Sequence, residues 1–87
     1  MTIRRLERFK KSYKNLPDNI QDKVDKALTL LIENPRHPSL QVRKLESSIK
    51  IWYLRVDRNY RLTFEIQDGD IFVLRHVDKH DDALRNP

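Results

Sequence analysis

Apolar residues along this chain change their spacing once, near residue 40, from a helical period to a strand period. Leu6, Phe9, Tyr13 and Leu16 recur at helical spacing with Arg5, Arg8, Lys11 and Lys14 between them, which predicts a short helix with one basic side after a strand at Thr2–Arg4. Pro17-Asp18 interrupts it. Asp18 as N-cap and Gln21 three residues on form a capping-box pattern. Ile20, Val24, Ala27, Leu28, Leu31 and Ile32 then define a second helix, ended by Asn34-Pro35, so the pair is expected as an antiparallel helical hairpin. After a stiff loop at 35–39, a short or irregular strand is predicted over Leu40–Leu45. Better ones follow at Ile51–Val56, Tyr60–Gln67 and Ile71–Val77. Helices first and a mainly antiparallel sheet of three to four strands afterwards make the chain α+β.

Turn chemistry assigns side chains to faces. Asp68-Gly69 is a strong signal for a two-residue type I′ turn, which would pair Gln67 with Asp70, Phe64 with Val73 and Arg61 with His76. Tyr60, Leu62, Phe64 and Ile66 would then share a core face with Ile71, Val73 and Val77, marred by Arg75 opposite Leu62. Asp57-Arg58-Asn59 fits a three-residue turn with Asn59 left-handed, because that choice pairs Val56 with Tyr60, Leu54 with Leu62 and Trp52 with Phe64. The opposite, uncovered face would carry Arg55, Arg61 and His76 in one row and Tyr53, Thr63 and Leu74 in the next. Neighbouring strands lie about 4.8 Å apart, so such a row brings two guanidinium groups and an imidazole within reach of one phosphate. Like charges side by side destabilise a sheet unless an anion joins them.

Composition narrows the possibilities. The 87 residues are expected to form one domain over 1–87, with no room for a separate substrate domain or a deep cofactor cavity. The single glycine argues against glycine-rich nucleotide loops, and the absence of cysteine excludes disulfides and thiolate metal sites. His76 and His80 do not converge on a strand running into a loop, and no third ligand stands out. No metal and no cofactor are expected. His37 is read as an exposed structural residue and Trp52 as part of the core. The most apolar stretch, 28–32, is far too short to cross a bilayer, and no apolar segment follows the N-terminal charges; a soluble cytoplasmic protein is expected. The net charge of +5 is segregated. Residues 1–16 carry six Lys/Arg against one acid and residues 35–62 seven against two, while residues 17–34 are net −2 and residues 63–87 net −3. Two basic blocks of this kind can meet as one field that attracts polyanions.

Several stretches together resemble the RelE/ParE superfamily of small bacterial toxins over essentially the whole chain. They are Lys14-Asn15-Leu16-Pro17, Leu31-Ile32-Glu33-Asn34-Pro35, Lys44-Leu45, Trp52-Tyr53-Leu54-Arg55-Val56, Asp57-Arg58-Asn59-Tyr60-Arg61-Leu62 and Val77-Asp78-Lys79-His80-Asp81-Asp82. RelE-like members are ribosome-dependent endoribonucleases that cut mRNA and are held inactive by an antitoxin. The resemblance therefore implies an antitoxin partner and mRNA on the ribosome as target. By it, Arg61 matches the principal catalytic arginine and Arg55 a basic residue beside it. His80 matches a histidine or arginine near the C-terminus, and Lys44 and Lys50 match phosphate-contacting lysines, with Arg43 and Tyr53 as further RNA contacts. Arginines suit charge stabilisation at phosphorus and histidine suits proton transfer, with His80 the first choice and His76 the second. Leu84 stands where many members carry a base-stacking tyrosine. Two alternatives accompany this reading: a ParE-like gyrase inhibitor without nuclease chemistry, and a weakened toxin homologue that only binds an antitoxin.

Overall fold

The computed structural model describes residues 2–87, in the order β1 (Thr2–Arg5), α1 (Glu7–Lys14), α2 (Asp18–Glu33), a 3-10 turn (Pro38–Leu40), β2 (Arg43–Lys44), β3 (Ile51–Arg55), β4 (Tyr60–Gln67), β5 (Ile71–Lys79) and α3 (His80–Arg85). The α+β reading holds. The strands form one five-stranded sheet in the order β1-β5-β4-β3-β2, antiparallel except for β1, which runs parallel to β5.

The helical hairpin forms where the apolar spacing places it. Phe9 of α1 and Ile20, Val24, Ala27, Leu28 and Leu31 of α2 are buried, one stripe on each helix. Tyr13 Oη donates to Asp25 Oδ1 at 2.8 Å across the hairpin. The capping box does not form. Pro17 occupies the cap, its carbonyl accepting from the backbone N–H groups of Ile20 and Gln21, and Asp18 is the first helical residue. Gln21 turns its amide to the Tyr13 carbonyl instead, at 2.9 Å. Asp18 still favours the helix start through its charge near the exposed N–H groups.

α1 also completes the sheet. β1 stops at Arg5, opposite Leu74, which leaves the outer edge of the rest of β5 without a strand partner. Ser12 of α1 supplies one: its hydroxyl donates to the Phe9 carbonyl at 2.9 Å and accepts from Val77 N–H at 3.1 Å. The strand expected over Leu40–Leu45 shrinks to Arg43–Lys44, because Leu40 is drawn into the core within the 3-10 turn and Gln41 reverses the chain at φ 45°.

The turn between β3 and β4 has the expected length. Leu54 pairs with Leu62, Trp52 with Phe64 and Arg55 with Arg61, and Val56 N–H reaches the Tyr60 carbonyl at 3.1 Å. Asn59, however, is not left-handed; among the described residues only Gln41, Asp68 and Gly69 have positive φ. The turn is closed by the Asp57 carboxylate instead, whose Oδ1 accepts the N–H groups of Asn59 at 2.8 Å and Tyr60 at 2.9 Å.

The β4–β5 register differs from the expected one in two steps. Asp68 (φ 53°) and Gly69 (φ 81°) are both left-handed, as a type I′ turn requires, and Asp70 N–H bonds the Gln67 carbonyl at 3.2 Å, but the loop spans three residues, 68–70, rather than two. Beyond it, Gln67 pairs with Ile71 and Phe64 with Leu74. A bulge between Thr63 and Phe64 then sets Thr63 opposite His76, Leu62 opposite Val77 and Arg61 opposite Asp78. Phe72 and Leu74 therefore join Leu54, Leu62 and Phe64 in the core cluster, with Phe72 edge-on to Phe64 at 5.7 Å, while Val73 is buried outside that cluster and Ile71 is only partly buried. Arg75 escapes the core altogether and pairs with Glu65 at 2.5 Å.

Neither the sequence pattern nor its resemblance places a helix at 80–85. α3 packs across β4 and β5 on the face away from α1 and α2, so that face is partly covered rather than open. It is tied at both ends. His80 N–H bonds the Asn59 carbonyl at 2.8 Å, Thr63 Oγ1 and Arg75 Nε both donate to the Pro87 carbonyl at 3.0 Å, and Arg8 donates to the Asn86 carbonyl. Thr63 beneath it is fully buried. No helix among the described residues is long and apolar enough to cross a membrane.

Phe64 is fully buried where the sheet meets the helical layer. Phe64→Ala is expected to lower the unfolding free energy by about 3–5 kcal/mol in urea titrations. A loss below about 1 kcal/mol would contradict this packing.

Candidate functional site

The turn Asp57-Arg58-Asn59 organises the charged end of the sheet. Asp57 is held from several sides: Oδ1 by the two backbone N–H groups of the turn and Oδ2 by Lys23 of α2 at 3.1 Å. Burial alone works to raise its pKa, but the Asn59 N–H, the Lys23 ammonium and the Tyr60 N–H outweigh it and hold the carboxyl below its ordinary value of 3.8.

Arg61 folds back onto this turn. Its Nη1 donates to the Asp57 carbonyl at 2.6 Å and to the Tyr60 carbonyl at 2.9 Å. Arg55 lies beside it in the β3–β4 register, as expected. Burial first, and the neighbouring Arg55 charge second, pull the Arg61 pKa below its ordinary value, while Tyr53 and Asp57 oppose the shift. No ion pair among the described residues includes either arginine. Arg55 and Arg61 are thus register neighbours, both partly buried and neither in an ion pair, a combination suited to an anion.

The third member of the expected row is absent. The bulge puts Asp78, not His76, opposite Arg61, and His76 opposite Thr63 in the row of Tyr53. His76 lies by the outer edge of β5, where it lines a cleft with Arg8, Ser12 and Tyr60. Its Nε2 is 3.4 Å from Asp78 Oδ2 and its buried Nδ1 has no partner. Burial and then the Arg8 charge push its pKa below the usual imidazole value, against the pull of Asp78.

His80 is brought to the same turn as Arg61 by a different route. It opens α3, and its backbone bond to Asn59 fixes it at the end of the turn opposite the Asp57 carbonyl that Arg61 holds. Its Nδ1 is 3.0 Å from Asp81 Oδ1. The exposed Arg58 and Arg85 line the same depression, together with Lys79. Of the remaining expected residues, Arg43, Lys44 and Tyr53 line one groove with Leu84 of α3. Lys44 stands 6.0 Å over the Trp52 ring, and Trp52 packs against the core. Lys50 lies apart from them, exposed in the loop before β3. His37 is half-buried rather than exposed, and its Nδ1 accepts from the Ser39 N–H at 3.2 Å, a local structural contact. Among the described residues no three His, Cys, Asp or Glu side chains come together as a metal site.

Sequence reasoning missed Arg58, Asp57 and Arg85 as parts of this region. The signal for α3 was present in the acids Asp81 and Asp82 in the first turn, Ala83 and Leu84 on one side and Arg85 in the last turn. The signal for the bulge was Arg75 opposite Leu62, a charge at a core position that an added residue removes.

This architecture is shared with solved toxins of type II toxin–antitoxin systems. YafQ from E. coli strain BL21(DE3) superimposes with a TM-score of 0.76 at 20% identity, covering 92% of this chain and 93% of that one. The RelB-RelE antitoxin-toxin complex from Methanococcus jannaschii gives 0.74 at 19%, covering 91% and 92%. The YoeB/ParE toxin from Agrobacterium tumefaciens gives 0.75 at 12%, covering 92% and 99%. No curated protein matches the sequence significantly. Residues 3–84 match the family described as ParE toxin of type II toxin-antitoxin system, parDE, and the chain belongs to that family, within the RelE/ParE superfamily.

Removing the carboxylate that closes the turn strands two N–H groups and Lys23, so Asp57→Ala is expected to cost about 2 kcal/mol of stability at pH 7. Because the folded pKa of Asp57 is depressed, this contribution is complete above the ordinary carboxylate value and fades as pH falls through the folded one. The stability difference between wild type and Asp57→Asn in urea titrations should therefore shrink from pH 6 to pH 3. A constant difference would mean that the charge of Asp57 contributes nothing.

Proposed function

We propose that this toxin is a RelE-like endoribonuclease that cleaves mRNA on the ribosome, with Arg61 and Arg55 stabilising the phosphorane and His80 transferring a proton. The observation that carries the reading is the Arg55–Arg61 pair, adjacent across β3 and β4, in no ion pair among the described residues, and joined through one turn to His80. In-line attack of a ribose 2′-hydroxyl on its own phosphate develops negative charge on the non-bridging oxygens. Preformed guanidinium donors oppose that charge most strongly where water is partly excluded. Arg43, Lys44 and Tyr53 would take the flanking strand in their groove, and Lys50 would contribute charge at a distance. His76, neutral and turned to the β5 edge, drops to a minor role in this scheme.

The partner is an antitoxin. Related toxins are solved as complexes with RelB and DinJ, and the basic balance of this chain suits an acidic partner segment. A second reading is favoured by the family match itself, which is to ParE toxins. It is inhibition of DNA gyrase by protein contacts, for which α3 over the sheet and Leu84 in place of an aromatic residue are no handicap.

Purified ribosomes programmed with mRNA distinguish the two. Wild type should cut the message, Arg61→Ala should lower the rate by roughly 10²–10³-fold, and His80→Ala by roughly 10²-fold. Circular dichroism of each variant separates lost chemistry from lost folding. Intact mRNA alongside inhibited gyrase supercoiling would transfer the assignment to the second reading.

A further inference from the structure

Asp81 and His80 are neighbours in sequence, and their side chains are turned toward each other, Nδ1 to Oδ1, at 3.0 Å. An ionised carboxylate only accepts hydrogen bonds, so Nδ1 of His80 must carry the proton in this contact. The neutral ring is then the Nδ1–H tautomer, with the lone pair on Nε2. This is the reverse of the tautomer that a free imidazole in water prefers, and it leaves Nε2 as a base. His80 lines a depression between the β3–β4 turn and α3, and the other charged side chains around it are Arg58 from the turn, Lys79 at the end of β5, and Asp82 and Arg85 from α3. Arg58 and Arg85 are exposed, and neither takes part in an ion pair among the described residues. Three cations and two carboxylates meet there, and one carboxylate is engaged by His80.

The turn fixes where this depression lies relative to the arginine pair. Arg61 holds the carbonyl of the first turn residue, Asp57, and His80 N–H holds the carbonyl of the last, Asn59. The two groups are therefore placed by the two ends of one three-residue segment, whose fully extended reach is about 10 Å.

Resting on the RNA-cleaving reading above, we propose that the depression is the proton-transfer end of the site: Asp81 positions His80 as base, and Arg58 and Arg85 hold the phosphate next along the strand. In the step this geometry serves, the 2′-oxygen forms a bond to phosphorus while the 2′-hydroxyl proton passes to His80 Nε2. The bond from phosphorus to the 5′-oxygen breaks, and the leaving oxygen takes a proton from water. The resulting hydroxide receives the proton held by His80. The products are a 2′,3′-cyclic phosphate and a 5′-hydroxyl. Asp81 does not touch the RNA and acts through the ring it orients, whereas Arg58 and Arg85 contribute charge-assisted bonds to a phosphate that does not react.

Two measurements test the proposal, one of them independent of activity. Long-range ¹H–¹⁵N correlation spectra of the histidine side chains should show His80 as the Nδ1–H tautomer at high pH in wild type, reverting to Nε2–H in Asp81→Ala. Asp81→Glu should restore part of the signal. On programmed ribosomes, Asp81→Ala should lower kcat by roughly tenfold with little change in KM, and the double variant Arg58→Ala, Arg85→Ala should raise KM by roughly tenfold with little change in kcat. A wild-type His80 found as Nε2–H, or a kcat indifferent to Asp81, overturns the positioning role. An unchanged KM in the double variant overturns the phosphate contacts. Cleavage that needs Arg61 but none of these residues defeats this proposal alone, while wild type that cuts no RNA defeats it together with the reading on which it rests.

Discussion

The Asp57 carboxylate is the contact on which the arrangement of this molecule's charged end depends. With only a few atoms it closes the β3–β4 turn, binds Lys23 of the helical layer and fixes the orientation of the carbonyls on either side. Those carbonyls then receive Arg61 and the first residue of α3. A small domain has too little buried apolar surface to fix such details by packing alone. A partly buried acceptor with several donors does so because leaving any of them unmatched is costly. The turn could have been closed by a left-handed Asn59, which the sequence permits, but that solution would have offered nothing to α2.

The parts of the fold that were legible from residues are those governed by one repeated rule. The helical spacing of Phe9, Val24, Leu28 and Leu31 and the alternation of Trp52, Leu54, Leu62 and Phe64 each bury a stripe, and a shift of one position would expose it. The Arg55–Arg61 pairing followed from that same matching. The parts that were not legible depend on single, unrepeated contacts. The Pro17 cap and the Asp57-closed turn are each one of several local solutions the same residues permit, and the anchors of α3 rest on polar bonds whose partners lie 12 to 78 residues apart. α3 itself is only one and a half turns long, so its apolar positions, Ala83 and Leu84, do not establish a period.

The β4–β5 pairing explains why the residue reading was right at one end and wrong at the other. After the Asp68-Gly69 turn the strands pair one residue beyond the expected register, which reverses the faces and brings Phe72 and Leu74 inward. The bulge adds a second residue, and two shifts restore the original alternation. That is why Val77 lies in the core as expected even though its partner is Leu62 and not Tyr60. The same two-residue displacement replaces His76 with Asp78 opposite Arg61. A bulge beside the arginine row re-aims side chains in this way without disturbing the packed face.

The position of α3 decides which stretch of the far sheet face remains open to a polyanion. The helix begins at the turn and ends over Thr63 and Arg75, where the Pro87 carbonyl takes two hydrogen bonds. Thr63 is sealed by it, whereas Arg55 and Arg61, one pleat nearer the turn, are only partly buried. Under the proposed function, a nucleic-acid strand meeting this face would be confined to the margins of α3, the Arg43–Tyr53–Leu84 groove and the Arg58–His80–Arg85 depression. Three of the six acids of residues 63–87 have side-chain partners within the protein, and only Glu65 faces a permanent cation. Glu65 faces Arg75, Asp78 faces His76 and Asp81 faces His80. The field left over is set by the basic turn and strands, and it is strongest where the chain has placed its unpaired guanidinium groups.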